Sequence, residues 1–302
     1  MTYPASGTQR KAYLLALLAV LFWSTISSAF KITLRYLPFQ SLVFWSVVVG
    51  MVLLALLNAF GKTPLRFGHL TPKQWKMSAW MGLFNPFLYY LVLIKAYGLL
   101  EAQEAGTLNY IWPVVLVLFS MVFLKQKIGW PAVVAILISF FGLVVIVTAG
   151  HPFSMRFSHP LGALLAVGSA FFWAAYWILN MKDPREETGK ILLNMLFGWL
   201  YLLIYFALAG VRLVLPSWQG WLGVIYIGIF EMSLTFVVWL KALNYSADTA
   251  KVSNLIYLSP FLGLFWIHHA VGETIHGYTL TGLAFIVGGI ILQQWRRFFI
   301  RR

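Results

Sequence analysis

Ala16-Leu17-Leu18-Ala19-Val20 recurs as Ala163-Leu164-Leu165-Ala166-Val167, 147 residues further along the chain. Tyr110 and Pro113 recur as Tyr257 and Pro260 at the same offset, and Gly142 as Gly289. Lys95-Ala96 returns as Lys241-Ala242, and Gly82 as Gly228, at an offset of 146; a one-residue loop insertion between Ala242 and Pro260 fits the difference. Self-similarity at a fixed spacing is the mark of a repeated architecture. The chain reads as one unit written twice, residues 1–150 and 151–302.

Both copies are apolar enough for a membrane. The 302 residues are 61% hydrophobic and 10% charged, whereas a soluble domain carries about 25% charged residues. A helix needs roughly 20 apolar residues to cross the hydrocarbon. Ten segments qualify: 12–30, 39–60, 77–98, 104–124, 130–150, 161–180, 191–210, 219–241, 250–270 and 278–295. The connections are short and leave no soluble domain over. The first apolar run lacks a small-x-small cleavage site and belongs to the repeat, so it is expected to be retained. The chain has no Cys, which removes disulfides and thiolate metal sites. The net charge of +14 does not point to nucleic acid, because the basic residues sit in short loops flanking apolar runs.

Those basic residues give an orientation. With a cytoplasmic N-terminus, the inside segments hold 17 Lys and Arg and the outside segments hold 5, namely Lys31, Arg35, Lys95, Arg156 and Arg212. Positive charge collects on the cytoplasmic side, so both termini are expected there, in a bacterial inner (plasma) membrane. Five crossings per copy is an odd number, so the second copy starts from the opposite face and lies inverted. The expected fold is an all-α polytopic membrane protein of ten transmembrane helices in two inverted five-helix repeats. Inverted repeats are a transporter architecture, with the substrate near the midplane where the repeats meet.

Polar residues deep in a membrane helix are costly and therefore candidates for function. Glu231 lies about ten residues from either end of its segment, and counting back 146 lands on Asn85. Pro86 removes a backbone hydrogen bond one turn ahead of Tyr89 and Tyr90. Segment four reads Thr107-Leu108-Asn109-Tyr110-Ile111-Trp112-Pro113 and segment nine Ser253-Asn254-Leu255-Ile256-Tyr257-Leu258-Ser259-Pro260. In each a polar, aromatic turn precedes the proline. Freed carbonyls there suit a substrate ammonium, and the Asn and Tyr side chains add hydrogen bonds. Trp23, Trp173 and Tyr176 offer a stacking platform for a flat ligand, and Ser24 and Ser28 form a small-xxx-small pair. Each of these also has a plain packing reading, since belt aromatics and prolines are common in membrane helices.

Other signals are weak. His268 and His269 are adjacent on a helix and diverge by about 100°, which is poor for a metal pair, and no metal or cofactor is expected. Gly61-Lys62-Thr63 resembles the end of a phosphate loop, but Leu56 stands where that motif needs Gly. Lys182-Asp183-Pro184-Arg185-Glu186-Glu187 reads as a solvated loop joining the two halves.

On Pro113 and Pro260, the ten crossings and the repeat, the chain resembles the drug/metabolite transporter (DMT) superfamily in its ten-helix form with two EamA-type repeats. Members tend to carry a Glu just past segment four; here it is Glu273 in the second half and Gln126 in the first. Asn109-Tyr110-Ile111-Trp112-Pro113, Gln126-Lys127, Phe22-Trp23-Ser24-Thr25 and Trp173-Ala174-Ala175-Tyr176 are most similar to the YddG-type aromatic amino acid exporters. The resemblance implies a bundle around a central cavity and export of amino acids or related metabolites, aromatic amino acids first.

The substrate-binding candidates are then Trp23, Asn85, Tyr89, Tyr90, Asn109, Tyr110, Trp112, Trp173, Tyr176, Glu231, Thr235, Asn254 and Tyr257. The bending candidates are Gly82, Pro86, Pro113, Gly228 and Pro260. The expected partners are a small-molecule substrate and the lipid bilayer. A monomer is the expected state. Alternatives stay open: a multidrug or other metabolite exporter, a passive channel, and a membrane-embedded enzyme acting on lipid-linked substrates. The enzyme would need paired carboxylates or a His beside a loop, and one deep carboxylate is visible; a non-enzyme is expected.

Overall fold

A computed structural model describes residues 6–61, 64–65, 67–124, 130–153, 159–246, 252 and 254–299. The described residues form helices and turns, with no strand. In chain order the helices are α1 (Ser6–Thr33), α2 (Phe39–Ala59), α3 (Pro72–Gly82), α4 (Tyr89–Leu99), α5 (Ala102–Asn109), α6 (Trp112–Leu124), α7 (Trp130–Val147), α8 (Pro160–Met181), α9 (Glu187–Ala209), α10 (Trp218–Phe230), α11 (Leu234–Tyr245), α12 (Ser259–Trp266) and α13 (Gly277–Phe299). Seven helical stretches are long and apolar enough to cross a membrane, and shorter apolar helices cover Val133–Val147, Leu255–Val271 and Gly277–Leu292. Every one of them falls on one of the ten apolar segments.

Helix starts follow local chemistry. Thr71 and Gln74 close a capping box on α3: the Gln74 amide donates to Thr71 Oγ1 and the Thr71 amide to Gln74 Oε1, at 3.3 and 2.8 Å. Such a box satisfies backbone donors that a helix start leaves bare. Ser217 caps α10 with a single bond, its Oγ accepting from the Gly220 amide.

Large apolar side chains cover much of the outer surface. Leu14, Val122, Phe140, Leu164 and Leu208 are 58–83% exposed, an arrangement that water penalises and hydrocarbon does not. With the backbone hydrogen bonds closed inside helices, this is what a lipid-facing surface requires.

Packing divides the chain into two compact units. Unit 1 is Met1–Phe87 with Asp183–Val271, and unit 2 is Leu88–Lys182 with Gly272–Arg302. Each unit therefore draws on both sequence halves. In unit 1, α1 packs on α10, α11 and α12, α2 on α9 and α10, and α3 on α9. Glycines make these approaches close. A Cβ on Gly82 would lie 2.5 Å from the Asn194 carbonyl oxygen, and one on Gly228 would lie 2.8 Å from that of Ser46. Both glycines sit inside helices, and in each span the helix breaks three residues later, at Asn85 and at Glu231.

Unit 2 is built on α8, which packs against α4, α5 and α6, and on the extensive α7–α13 pair. The repeat-related Gly142 and Gly289 meet α13 and α7 respectively. A Cβ on Gly142 would lie 2.5 Å from Gly282 O, and one on Gly289 would lie 2.6 Å from Ala135 O.

The run from Lys182 to Glu187 corrects the expectation of a solvated loop. Lys182, Pro184 and Glu186 are exposed, but Asp183 is buried and Lys190 just beyond is 1% exposed. Arg185 Nε donates to both Asp183 oxygens at 3.0 Å, and its Nη2 donates to Ser78 Oγ at 2.7 Å. Lys190 Nζ donates to the Asp183 carbonyl at 3.3 Å. A buried charge needs this kind of pairing. Burial pushes the Asp183 carboxyl up, but the hydrogen bonds and charge of Arg185 outweigh it and hold the group below the usual carboxylate range.

Candidate substrate site

In unit 2 the polar and aromatic candidates converge. Tyr89 opens α4, Asn109 closes α5, and Ser169 and Trp173 lie one turn apart on α8. Tyr89 OH donates to Asn109 Oδ1 at 3.2 Å, and Asn109 Nδ2 donates to Ser169 Oγ at 2.8 Å. Ser169 Oγ in turn donates to the Ala166 carbonyl at 2.6 Å. Asn109 accepts through Oδ1 and donates through Nδ2, and the two bonds orient its carboxamide.

Aromatic rings pack around that chain. Tyr89 stacks on Trp173 with centroids 4.7 Å apart and planes at 27°, and Trp173 stacks on Tyr176 at 5.8 Å. Trp112 meets Trp173 edge-on at 6.5 Å, and Tyr90 meets Tyr89 edge-on at 4.8 Å. Tyr176 OH accepts from Asn180 Nδ2 at 3.3 Å. Tyr89, Tyr90, Trp173 and Tyr176 are buried, while Asn109, Tyr110 and Trp112 are partly exposed. The four buried rings spend much of their faces on one another. The half-open side of the cluster is the Asn109–Tyr110–Trp112 corner, where α5 ends and α6 begins. Pro113 is the second residue of α6, a position where its missing N–H leaves no bond unmade.

Unit 1 holds the other candidates. The span from α3 to α4 breaks at Asn85, whose φ of −146° and ψ of 117° are extended, and Pro86 follows in a π-type turn, Leu83–Leu88. Asn85 is 7% exposed. Its Oδ1 is buried and, among the described residues, has no hydrogen-bond partner. Buried amide oxygens are nearly always paired, so this one asks for a donor. Glu231 is buried at the matching break between α10 and α11. There Ser233 Oγ donates to the Gly228 and Ile229 carbonyls at 2.8 and 3.1 Å, and Thr235 Oγ1 donates to the Phe230 carbonyl. The two hydroxyls take up carbonyls that the helix releases. Thr235 is thus fully buried and committed to the backbone.

Trp23, also in unit 1, packs against Trp239 at 5.5 Å and Phe236 at 5.9 Å. It belongs to a different compact unit from Trp173 and Tyr176. Next to it, Ser24 Oγ accepts from Trp266 Nε1 at 3.1 Å. Thr25 Oγ1 donates to the Phe22 carbonyl and lies 2.6 Å from Tyr226 OH; with its proton committed, Tyr226 is the donor. A 3₁₀ turn, Asn254–Leu258, carries Tyr257, which is buried, and Pro260 is the second residue of α12. The Asn254 side chain and Gln126 lie outside the described residues. An open apolar groove in the same unit is lined by Phe87, Tyr201, Ile204, Tyr205, Leu208 and Ala209; none of the candidates lines it.

Ser169, Tyr226 and Trp239 were missed in the sequence reading. Ser169 had a signal, being a hydroxyl in the middle of an apolar segment. Tyr226 and Trp239 had none, because their partners are set by tertiary packing alone.

Apolar spans with lipid-facing surfaces, broken mid-span at polar residues, define a multi-pass membrane protein of the transporter kind. The chain belongs to the EamA-like transporter family, whose model matches residues 10–148 and 160–293. Among curated proteins it is similar to the aromatic amino acid exporter YddG of Ancylobacter novellus, 25% identical over 93% of this chain and 96% of that protein. The YddG exporter of Escherichia coli is 27% identical over 64% of this chain and 68% of that one. An uncharacterized transporter of Clostridium kluyveri is equally near, 25% identical over 94% and 93%. A solved crystal structure superposes with a TM-score of 0.68, covering 96% of this chain and 99% of that one at 23% identity. That likeness establishes the fold.

Proposed function

We propose that the protein is a secondary carrier that exports amino acids, aromatic ones first, by alternating access of two inverted five-helix repeats. The supporting observation is the unit 2 cluster, in which an oriented Asn109 carboxamide stands beside the Tyr89–Trp173 stack and the half-open Trp112 ring. Aromatic amino acids pair a flat apolar body with charged polar ends, and such a corner suits both. Taken by itself, Asn85 Oδ1 in unit 1 is a buried acceptor with no partner among the described residues. The similarity to two exporters named for aromatic amino acids points the same way. The ten-span count, the cytoplasmic termini and the inner-membrane location belong to this proposal; they rest on the sequence repeat and the bias of basic residues.

The test is purified protein in liposomes loaded with a panel of amino acids. Saturable efflux of Phe, Tyr or Trp, with mutual competition, is the expected result. Flux that never saturates would make it a channel. Saturable flux of other metabolites alone would move the substrate elsewhere in the superfamily.

A further inference from the structure

Among the described residues, the substrate reading leaves one buried carboxylate inside an apolar span unused. Glu104 is 6% exposed and lies in the first turn of α5, inside the apolar span Ala102–Phe123. Its Oε1 accepts from Tyr278 OH at 3.3 Å. The Tyr278 ring stacks on the His276 imidazole, centroids 4.9 Å apart and planes at 13°. His276 Nε2 lies 3.0 Å from Glu101 Oε2, and these two side chains are 35% and 46% exposed. Ionisable groups thus run from a water-exposed pair to a buried carboxylate, all within unit 2.

A set of hydrogen bonds to backbone amides and carbonyls holds them in place. Glu273 accepts from the Ala102 and Gln103 amides at 2.8 and 3.2 Å. Gln103 Oε1 accepts from the His276 amide at 2.9 Å, and its Nε2 donates to Glu101 Oε2 and the Thr274 carbonyl. Around Glu104, its own turn brings Glu101, and the connection into α13 brings Glu273, His276 and Tyr278. The other helices packed on α5 are α4, α7 and α8. Neither α7 nor α8 carries a charged side chain, α8 bringing Tyr176, and α4 carries Lys95, which is exposed. From Glu104, α5 runs on five residues to Asn109, about 7.5 Å along its axis.

We propose that Glu104 is a proton-binding site, filled from the outer surface through the Glu101–His276 pair, and that its proton drives substrate export. The inference rests on the carrier reading, and the outer assignment rests on the bias of basic residues. The step is simple in its balance. The Glu104 carboxylate takes one proton from outside water, and that proton is released to the inside as one substrate leaves. Only O–H and N–H bonds are made and broken.

Two measurements decide it. In liposomes, each unit of acid-outside pH gradient should shift the wild-type substrate ratio about tenfold, one proton per substrate. E104Q should exchange substrate yet ignore the gradient, E104D should recover part of the response, and H276Q should respond more slowly. Wild-type flux that saturates but is indifferent to the gradient, or E104Q that still responds, overturns the proposal and leaves the carrier standing. Infrared titration of the protein without substrate is the second measurement. A carboxyl band that changes on titration should be present in wild type and missing from folded E104Q. Its absence from wild type overturns the site even where no tested amino acid is carried.

Discussion

Tyr89 lies flat on Trp173, ring centroids 4.7 Å apart, while its hydroxyl reaches past the ring to hold Asn109. One side chain therefore serves both the stack and the hydrogen-bond chain, and the two can be separated by mutation. Tyr89→Phe keeps the stack and leaves Asn109 Oδ1 without its donor, a loss of about 1–3 kcal/mol. Tyr89→Ala also opens a cavity and should cost about 3–5 kcal/mol. Denaturation in detergent should rank them in that order, and flux of aromatic amino acids should fall several-fold in Tyr89→Phe.

Asn85 gives the opposite pattern. Its buried Oδ1 is already unpaired, so Asn85→Ala removes a desolvated group and should leave the melting temperature unchanged or raised. Flux should drop, with KM rising more than kcat falls. A large loss of stability in Asn85→Ala would show the residue to be a packing element.

The glycine contacts separate by position. Gly82→Ala and Gly142→Ala drive a Cβ to within 2.5 Å of a facing backbone oxygen and should cost about 1–3 kcal/mol. Gly168→Ala meets nothing within 4 Å and should be neutral or slightly stabilising, since alanine is the better helix former. Thermal unfolding of the three variants side by side is the check.

Asp183 sets an acid limit. Its carboxyl is held below the usual carboxylate range by Arg185, so its contribution is complete above about pH 5 and is lost as pH falls below about 4. The melting temperature should stay level from neutral pH down to that window and then fall. Arg185→Ala strands the buried carboxylate and should cost about 3–5 kcal/mol at neutral pH. Arg185→Lys should not rescue it, because an ammonium cannot fork both Asp183 oxygens and still reach Ser78.

The wild-type chain has no Cys, so single cysteines report sidedness without background. Lys182→Cys should react with a membrane-impermeant maleimide only from the inside, and Gly210→Cys only from the outside. Labelling of both from one side would end the inverted-repeat topology.

The spans were legible because crossing hydrocarbon needs a minimum apolar length, and nothing else in the chain imitates it. Three of the breaks were legible because Pro86, Pro113 and Pro260 cannot continue a hydrogen-bonded ladder. The break at Glu231–Ser233 was marked only by the bending candidate Gly228, three residues ahead of it. No proline marks it, and it is held by hydroxyls of Ser233 and Thr235 that bond carbonyls five residues back. The aromatic candidates were visible as residue types, but whether a ring faces a ligand or another ring is decided by partners far along the chain, as with Tyr89 and Trp173. The Asp183–Arg185–Ser78 network was hidden for the same reason: a charged run looks solvated until Ser78, 107 residues upstream, closes over it.

Unit 1 is stitched from Met1–Phe87 and Asp183–Val271, and that has a cost during synthesis. The ribosome must pass Val271 before the unit is complete. Gly82 stays uncovered until Asn194 is made, and α1 lacks its α12 neighbour until Trp266 is made. A gene cut at the repeat boundary would therefore yield two polypeptides, neither of which holds a finished unit, and only their co-expression should restore a folded protein.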